Sequence, residues 1–202
     1  MSKIKRKGLA DRRTGKNILG NKNSPVIKRP RTPGLLPNRS SRLSMYANQL
    51  LETKVLRHFY GSLLKRQLKK IVDDSIKKHG NTVDHIIRNL ESRLETVVFR
   101  SNWSQTPWAA QQLISHGHVL VNGKKVDIKS YRVKIGDEIS LSPLMHTNEH
   151  ILNAMKSTYR SVGKNLEHHG FKVIYKEHPN SNTIDYGSIS IDISSIIAFL
   201  AR

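Results

Sequence analysis

The chain of 202 residues contains 35 Lys and Arg against 15 Asp and Glu, which gives a formal net charge of +20 at pH 7, and it contains no cysteine. The absence of cysteine excludes disulfides, thiolate metal sites and cysteine nucleophiles. No run of about 18 apolar residues, the length needed to cross a membrane, is present. A hydrophobic content of 37% is enough for a modest core and excludes a wholly disordered chain.

Residues 1–42 are predicted to form an extended basic arm with one short helical turn near Leu9–Arg13. Residues 1–45 hold 13 Lys and Arg and one acid, Asp11, and prolines and glycines interrupt any regular helix or central strand. Like charges in such a run repel one another unless phosphates neutralise them, and a polyanion that binds them releases its counterions. A membrane-surface arm would need an amphipathic apolar face, which is missing. The arm therefore indicates a nucleic-acid partner. Its start lacks the apolar segment of a secretory signal, which predicts an intracellular protein.

Residues 43–92 are predicted to be a helical domain. Apolar residues recur at helical spacing, and Gly61 divides them into helices over about 43–60 and 62–78. A third helix is expected to begin at a cap on Asn81 or Thr82 and to run to about residue 93. The polar faces of the first two helices carry Lys54, Arg57, Lys65, Arg66, Lys69 and Lys70. Such faces are commonly plain solvated surface, but beside the basic arm they favour RNA contact.

Residues 93–143 are predicted to be a small α+β unit. A short apolar stretch over 94–99 precedes Thr106-Pro107, which pairs an N-cap hydroxyl with proline at the first helical position. The helix is expected over 108–116, because Gly117 is the residue type that ends a helix in a left-handed conformation.

A hairpin is predicted directly after this helix. Val119–Val121 reads as a strand, and Asn122-Gly123 is the strongest short-range signal for a two-residue turn. Val126 and Ile128 are expected on the returning strand, and a further strand is expected over 139–141. The pair Lys124-Lys125 follows the turn, so the hairpin presents cations, as an element that binds a polyanion would.

Residues 144–202 are predicted to contain a linker, one helix over Glu149–Arg160 and two β-type segments. Phe171, Val173 and Tyr175 alternate with polar residues, which is typical of a strand. The second alternating set is Ile189, Ile191 and Ile193. The charge of this tail is nearly balanced, so we expect it to pack on protein. The predicted fold class of the whole chain is α+β.

Several short motifs of this chain resemble a known family. They are Arg93-Leu94, Val97-Val98-Phe99-Arg100, Gln112-Leu113-Ile114-Ser115-His116-Gly117-His118, Val121-Asn122-Gly123, Ser130-Tyr131 and Gly136-Asp137. Together they are similar to the RNA-binding domain of bacterial-type small-subunit ribosomal protein four. Upstream, Leu43-Ser44-Met45-Tyr46, Leu56-Arg57, Tyr60-Gly61 and Gly80-Asn81-Thr82 resemble the family's first helical region. Residues 189–202 more loosely resemble its C-terminal strand, which returns to that region.

The resemblance implies a structural constituent of the small ribosomal subunit rather than an enzyme. It implies binding to small-subunit rRNA near its 5′ end early in assembly, contacts with neighbouring small-subunit proteins, and no cofactor, metal, membrane or homo-oligomer. No segment is large enough for a catalytic domain, and no Gly-rich phosphate loop or nucleophile elbow occurs. The same module occurs in unrelated proteins, so a free-standing RNA-binding, RNA-modification or ribosome-rescue factor is an alternative. A DNA-binding regulator is a second alternative.

The resemblance also implies which residues bind RNA. The helix and hairpin of the module are expected to bind folded rRNA by its shape and backbone. The candidate residues in the module are Arg93, Arg100, Thr106, Gln111, Gln112, Ser115, His116, His118, Asn122, Gly123, Lys124, Lys125, Ser130 and Tyr131. Those in the helical domain are Arg57, Lys65, Arg66 and Lys69. Arg39 and Arg42 match arginines that in the family line the channel by which messenger RNA enters the small subunit.

The chain departs from the family pattern in the helix of the module. Thr106-Pro107 stands where many members have Thr-Arg, and Gln111 stands where many have a later arginine. Two phosphate-binding cations are therefore absent, and binding is expected to depend more on Arg100, Gln112 and the hairpin lysines. His116-Gly117-His118 is interpreted as a helix end and not as a metal site, because no third ligand is in view.

Two tryptophans are unusual for the family at their positions. Trp108 is expected to be buried, and no role is predicted for Trp103. Stacking on a base or contact with another protein is the alternative for Trp108.

The predicted location is the small subunit of a mitochondrial ribosome. The body of the chain most resembles α-proteobacterial and mitochondrial members, and its richness in Lys, Asn and Ile is typical of an AT-rich genome. No Arg- and Ser-rich presequence precedes the family-like region, so the gene is expected in the organelle. A bacterial cytoplasm is the alternative.

Overall fold

A computed structural model describes residues 8–20, 24–29, 44–156, 163–187 and 189–201 of the chain. Within these ranges the protein contains nine α-helices, one 3-10 helix and a single five-stranded antiparallel sheet. The predicted α+β class is therefore confirmed. The chain divides into two compact units, of which unit 1 is formed from Met1–Val72 and Tyr186–Arg202 and unit 2 from Asp73–Asp185. Of the helices in the described ranges, none is both long and apolar enough to cross a membrane.

Unit 1 is helical in its described parts. Its helices are α1 (Leu9–Thr14), α2 (Pro25–Lys28), α3 (Met45–Phe59), α4 (Lys65–Ile76, which continues into unit 2) and α9 (Ile193–Leu200). The Ser44 hydroxyl caps α3 by accepting a hydrogen bond from the Ala47 N–H at 3.3 Å. Gly61 and Ser62 both have positive φ, 69° and 62°, and they turn the chain between α3 and α4. The two helices predicted on either side of Gly61 are thus confirmed, with slightly shorter bounds.

The C-terminal end of the chain is a helix, and the strand predicted through Ile189, Ile191 and Ile193 is wrong. Ile193, Ile196 and Leu200 follow a helical repeat and are all buried in α9. An N-cap on Asp192 fixes where the helix begins, because its carboxylate accepts the Ser195 N–H at 3.1 Å. α9 packs on α3, with the Tyr46 and Phe199 rings edge to face at 5.4 Å. The tail therefore returns to the helical domain, but as a helix.

We expect Asp192→Ala to lower the free energy of unfolding by about 1 kcal/mol, because the first turn of α9 loses its side-chain cap. Asp192→Asn is the matched control, since its amide oxygen accepts the same hydrogen bond. Urea denaturation of both variants measures the difference. Equal stabilities of the alanine and asparagine variants would contradict a capping role for this residue.

Unit 2 combines four helices with the sheet. The helices are α5 (Thr82–Glu91), α6 (Leu94–Arg100), α7 (Pro107–Ser115) and α8 (Glu149–Lys156), and a 3-10 helix spans Pro143–Met145. Asn81 caps α5, as predicted, by accepting the Val83 N–H at 3.0 Å. The apolar stretch over 94–99 forms most of α6 and is fully buried. α8 was predicted to reach residue 160, and residues 157–160 lie outside the described ranges.

The sheet has the strand order β2-β1-β3-β5-β4. Its strands are β1 (Val119–Val121), β2 (Lys124–Lys125), β3 (Glu138–Leu141), β4 (Leu166–His169) and β5 (Lys172–Tyr175). The alternation predicted through Phe171, Val173 and Tyr175 corresponds to β5, where Val173 and Tyr175 have no exposed surface. The strand β4 was not predicted, since its sequence Leu-Glu-His-His lacks an apolar alternation.

The strand predicted to return through Val126 and Ile128 is wrong beyond its first residues. The Val126 N–H still donates to the Val119 carbonyl at 3.2 Å, but the assigned strand β2 ends at Lys125. Ile128 is 59% exposed and begins a turn that closes with the Tyr131 N–H on the Ile128 carbonyl at 3.0 Å. In a strand with one buried face, the apolar side chains point toward the core. Ile128 is exposed instead, so it does not continue the strand.

Candidate nucleic-acid interface

The end of α7 forms a tight helix-to-strand corner. The Thr106 hydroxyl accepts the Ala109 N–H at 3.2 Å and Pro107 occupies the first helical position, as predicted. At the other end Gly117 has φ +71°, and its N–H donates to the Ile114 carbonyl at 2.8 Å. The His118 N–H donates to the Leu113 carbonyl at 3.0 Å, which completes a Schellman motif. Ser115 and His116 are exposed at this corner, and His118 is half-buried.

The Asn122-Gly123 turn is held by bonds that use most of the asparagine. Asn122 and Gly123 have φ of +49° and +76°, as a type I′ hairpin requires. The Asn122 amide donates to the Asp137 carboxylate at 2.8 Å and accepts the Glu138 N–H at 2.9 Å, and its own N–H donates to the Glu138 carbonyl. Asn122 was predicted to bind RNA, but its polar groups are engaged in joining the hairpin to β3.

Lys125 joins the hairpin to the helix end. Its side chain lies across Gly117, where a Cβ would meet the Lys125 Cε at 1.8 Å. The His116 and His118 rings lie edge to face at 6.0 Å on the same corner. We call Gln112, Ser115, His116, His118, Lys124 and Lys125 the corner surface. Of these, Gln112, Ser115, His116 and both lysines are exposed, so the structure leaves the predicted hydroxyl, imidazole and ammonium groups accessible to solvent.

The segment that follows the hairpin adds cations that the sequence reasoning missed. Residues 124–134 contain five Lys and Arg against one acid, Asp127, and all five cations are exposed. The three additional ones are Lys129, Arg132 and Lys134. The Lys129 ammonium donates to the Gln111 side chain on α7 at 3.4 Å, and Arg132 donates to Asn89 at 2.9 Å. The run of Lys and Arg was present in the sequence, but the predicted RNA-binding residues included only Lys124 and Lys125 from it.

Two predicted RNA-binding arginines lie inside unit 2 and not on the corner surface. Arg93 is 8% exposed and pairs with Glu95 at 2.6 Å. Arg100 pairs with Glu91 at 2.8 Å and donates a second bond to the Asp185 carbonyl at 2.6 Å. Both arginines are therefore occupied by internal partners. RNA contact by Arg100 stays a prediction, and the structure shows that its guanidinium is already paired with a buried carboxylate.

Three other candidates take local structural roles. The Thr106 hydroxyl is the cap acceptor of α7, and the Tyr131 carbonyl accepts the Leu94 N–H at 2.8 Å where α6 begins. Tyr131 is half-buried, whereas Ser130 is exposed beside it. Gln111, half-buried on α7, is the acceptor for Lys129.

Unit 1 carries a separate basic face on α4. Lys65, Arg66, Lys69 and Lys70 are all exposed, and residues 61–72 contain no acid. The Lys65 ammonium lies 5.0 Å from the centre of the Phe199 ring. Arg57 is not on this face. Its Nε donates to the Leu63 carbonyl at 2.6 Å, and burial lowers the pKa of its guanidinium from its ordinary value. Arg39 and Arg42 lie outside the described residues.

The two tryptophans differ in exposure. Trp103 is 1% exposed, and its Nε1–H donates to the Gly170 carbonyl at 3.2 Å, so its buried polar group is satisfied. Trp108 is 37% exposed on α7, so its predicted burial is wrong. The reason is its position in the first turn, where Pro107 and Ala110 face the core and Trp108 points outward. Its ring is accessible for stacking.

In the part of the chain that the structure describes, no three His, Asp or Glu side chains could together hold a metal ion.

Two family models match adjacent parts of the chain. Residues 3–91 match the model described as the ribosomal protein S4/S9 N-terminal domain, and residues 92–139 match the S4 domain. A relative named small ribosomal subunit protein uS4 from Phenylobacterium zucineum is 36% identical and aligns with 95% of this chain and 94% of its own length. The proteins of that name from Acidiphilium cryptum and Brucella ovis are 32% and 33% identical, each over 95% of both chains.

Proposed function

The chain belongs to the family of small ribosomal subunit protein uS4, and from this premise we propose that it is a structural, rRNA-binding constituent of a small ribosomal subunit. The observation that carries the proposal is the exposed positive charge of residues 124–134, which contain five Lys and Arg and one acid. Such a surface matches the phosphate backbone of folded RNA, since A-form RNA presents phosphates and 2′-hydroxyls and hides its bases.

The proposal assigns most of the RNA contact to exposed side chains of two surfaces. The corner surface and the neighbouring Lys129, Arg132 and Lys134 form the first, and the α4 face with Lys65, Arg66 and Lys69 forms the second. Trp108 adds a ring that can stack on an unpaired base. The predicted contact of Arg39 and Arg42 with incoming messenger RNA stays part of the proposal.

Co-sedimentation tests the proposal against a free-standing RNA factor. A stoichiometric constituent is expected to remain with the small subunit through a high-salt sucrose gradient at one copy per particle. A transient factor, including an RNA-modifying or rescue factor, would leave the particle as the salt is raised, because salt weakens its phosphate contacts and no packing against neighbouring subunit proteins retains it. Absence of the protein from salt-washed small subunits would overturn the proposal.

Removing the hairpin charges is expected to weaken rRNA binding without changing stability. For the double variant Lys124→Ala/Lys125→Ala we expect the slope of log affinity against log salt to fall by about 2, roughly 1 for each lost phosphate contact. Filter binding to a small-subunit rRNA transcript over a range of KCl concentrations measures the slope. Lys156→Ala, an exposed lysine on α8, is the control. A slope equal to that of the wild type would show that the hairpin lysines do not contact phosphate.

The proposed role is non-enzymatic and early in assembly. The relatives' name describes a subunit protein and no reaction. In the proposal the protein binds rRNA directly and then contacts neighbouring small-subunit proteins. Omission of the protein from an in vitro reconstitution is expected to block binding of later proteins.

The similar proteins named above favour a bacterial ribosome over the mitochondrial ribosome that was predicted from the sequence. All of the named relatives are bacterial, among them those from Rhodospirillum centenum and Brucella suis. None supports the mitochondrial location. We therefore propose the bacterial cytoplasm, the stated alternative, as the compartment, and immunodetection in fractionated source cells tests it.

A further inference from the structure

We infer that unit 1 contains a pocket that binds a single phosphate group. The pocket has a volume of about 180 Å³, several times the roughly 30 Å³ of one water in the liquid. The residues that line it come from the end of α1, the second half of α3 and the turn after α3: Arg13, Thr14, Lys54, Arg57, His58 and Ser62. Where RNA supplies the phosphate, the inference rests on the proposed function.

The side chains that line the pocket give it a positive charge, and no acidic side chain of the described residues lines it. Three of the lining residues carry a full positive charge, namely Arg13, Lys54 and Arg57. Among the described residues, the carboxylate nearest in sequence to Lys54 is Glu52, and it pairs with Lys16 at 2.5 Å. Three cations around one cavity repel one another, and an anion between them relieves that repulsion.

The helix ends oppose this charge but do not cancel it. α1 and α3 both reach the pocket with their last turns, and a helix C-terminus carries roughly −0.5 of an elementary charge. Two such ends contribute about −1 at most. The three side-chain cations outweigh this, so the pocket favours a group of one to two negative charges.

Three of the side chains that line the pocket, Arg57, His58 and Ser62, are held in place by internal hydrogen bonds. The bond from Arg57 Nε to the Leu63 carbonyl at 2.6 Å fixes one guanidinium. Ser62 has a φ of +62°, a backbone conformation that is unfavourable for a non-glycine residue. Its hydroxyl lies 2.9 Å from His58 Nδ1, which fixes both side chains. The chain therefore keeps a serine hydroxyl next to the three cations at a position where glycine would adopt the backbone conformation without strain.

Titration of the full chain with inorganic phosphate tests the pocket. We expect saturable shifts of the Ser62 and His58 amide signals in ¹H–¹⁵N spectra, with NaCl of equal ionic strength as the reference. In Arg13→Gln/Lys54→Gln the dissociation constant should rise on the order of tenfold, because two partly exposed charge contacts are lost. Lys156→Gln should match the wild type. Thermal melts without phosphate check that the double variant is folded. No saturable shift, or equal constants for the folded double variant and the wild type, would overturn the inference.

Binding to a small-subunit rRNA transcript identifies the source of the phosphate. If the group belongs to the RNA backbone, the double variant should show a salt slope smaller by about 0.7 to 0.9, the value for one phosphate. A weaker phosphate constant with an unchanged slope assigns the pocket to free phosphate. Failure of the wild type to bind the rRNA would overturn the proposed function alone, since the phosphate titration contains no RNA.

Discussion

Arg100→Ala is expected to lower the free energy of unfolding of unit 2 by about 3–5 kcal/mol, the cost of leaving one member of a buried ion pair without its partner. The Arg100 and Glu91 side chains are 12% and 2% exposed, and two hydrogen bonds of 2.8 and 3.2 Å join them. Without the guanidinium, the Glu91 carboxylate keeps its desolvation cost and loses its main compensation. Thermal melting should show a midpoint lower by at least about 10 °C.

The double variant Glu91→Met/Arg100→Met separates a structural role from an RNA-binding role. Apolar residues of similar volume can replace a buried pair with little loss, so we expect the double variant to recover most of the stability. It should also recover rRNA affinity, because the proposal assigns RNA contact to exposed cations and not to this buried pair. An affinity that stays low in a stable double variant would show that Arg100 contacts RNA after all. Equal stability of Arg100→Ala and the wild type would contradict the structural role.

Gly117→Ala is expected to reduce both stability and rRNA affinity. A left-handed conformation costs a residue with a Cβ about 1–2 kcal/mol, and φ of Gly117 is +71°. The new methyl would also occupy the space of the Lys125 side chain, whose Cε lies 1.8 Å from the Cβ position. Because that side chain is flexible, the contact itself is relieved at small cost. Its relief displaces the ammonium from the corner surface, and rRNA affinity should fall as a result.

Gly170→Ala is the matched control for this effect. Gly170 has a similar φ of +64°, and a Cβ there meets nothing within 4 Å. Both variants should therefore lose a comparable free energy of unfolding in urea denaturation. Only Gly117→Ala should lose rRNA affinity in filter binding at a temperature where both are folded. Equal affinities of the two variants would show that Lys125 does not need its place across Gly117.

Helix ends and turns were predictable because their chemistry is local. The Thr106 cap, the Gly117 stop and the Asn122-Gly123 turn depend on bonds between residues that are close in sequence, and all three occur as predicted. The exposed lysines of the hairpin follow from the same turn. The function was predicted from the resemblance of these motifs to a known family.

The C-terminal helix was missed because two periodicities overlap. Ile189, Ile191 and Ile193 satisfy a strand pattern, while Ile193, Ile196 and Leu200 satisfy a helical one. The Asp192 cap and the packing of α9 on α3 select the helix. Aspartate is a residue type that commonly caps a helix, but the surface of α3 that receives the apolar face of α9 is created only by the fold.

The sequence by itself determined the charge of the protein, the local ends of its helices and the hairpin, because these depend on composition and on neighbouring residues. The tertiary structure alone decided which cations are exposed to solvent and which are paired inside the protein. Arg93 and Arg100 carry the same charge as Lys124 and Lys125, yet Glu95 and Glu91 neutralise the arginines inside unit 2. Whether a cation faces solvent or a buried carboxylate depends on how α5 and α6 pack, and packing arises from contacts between residues distant in sequence.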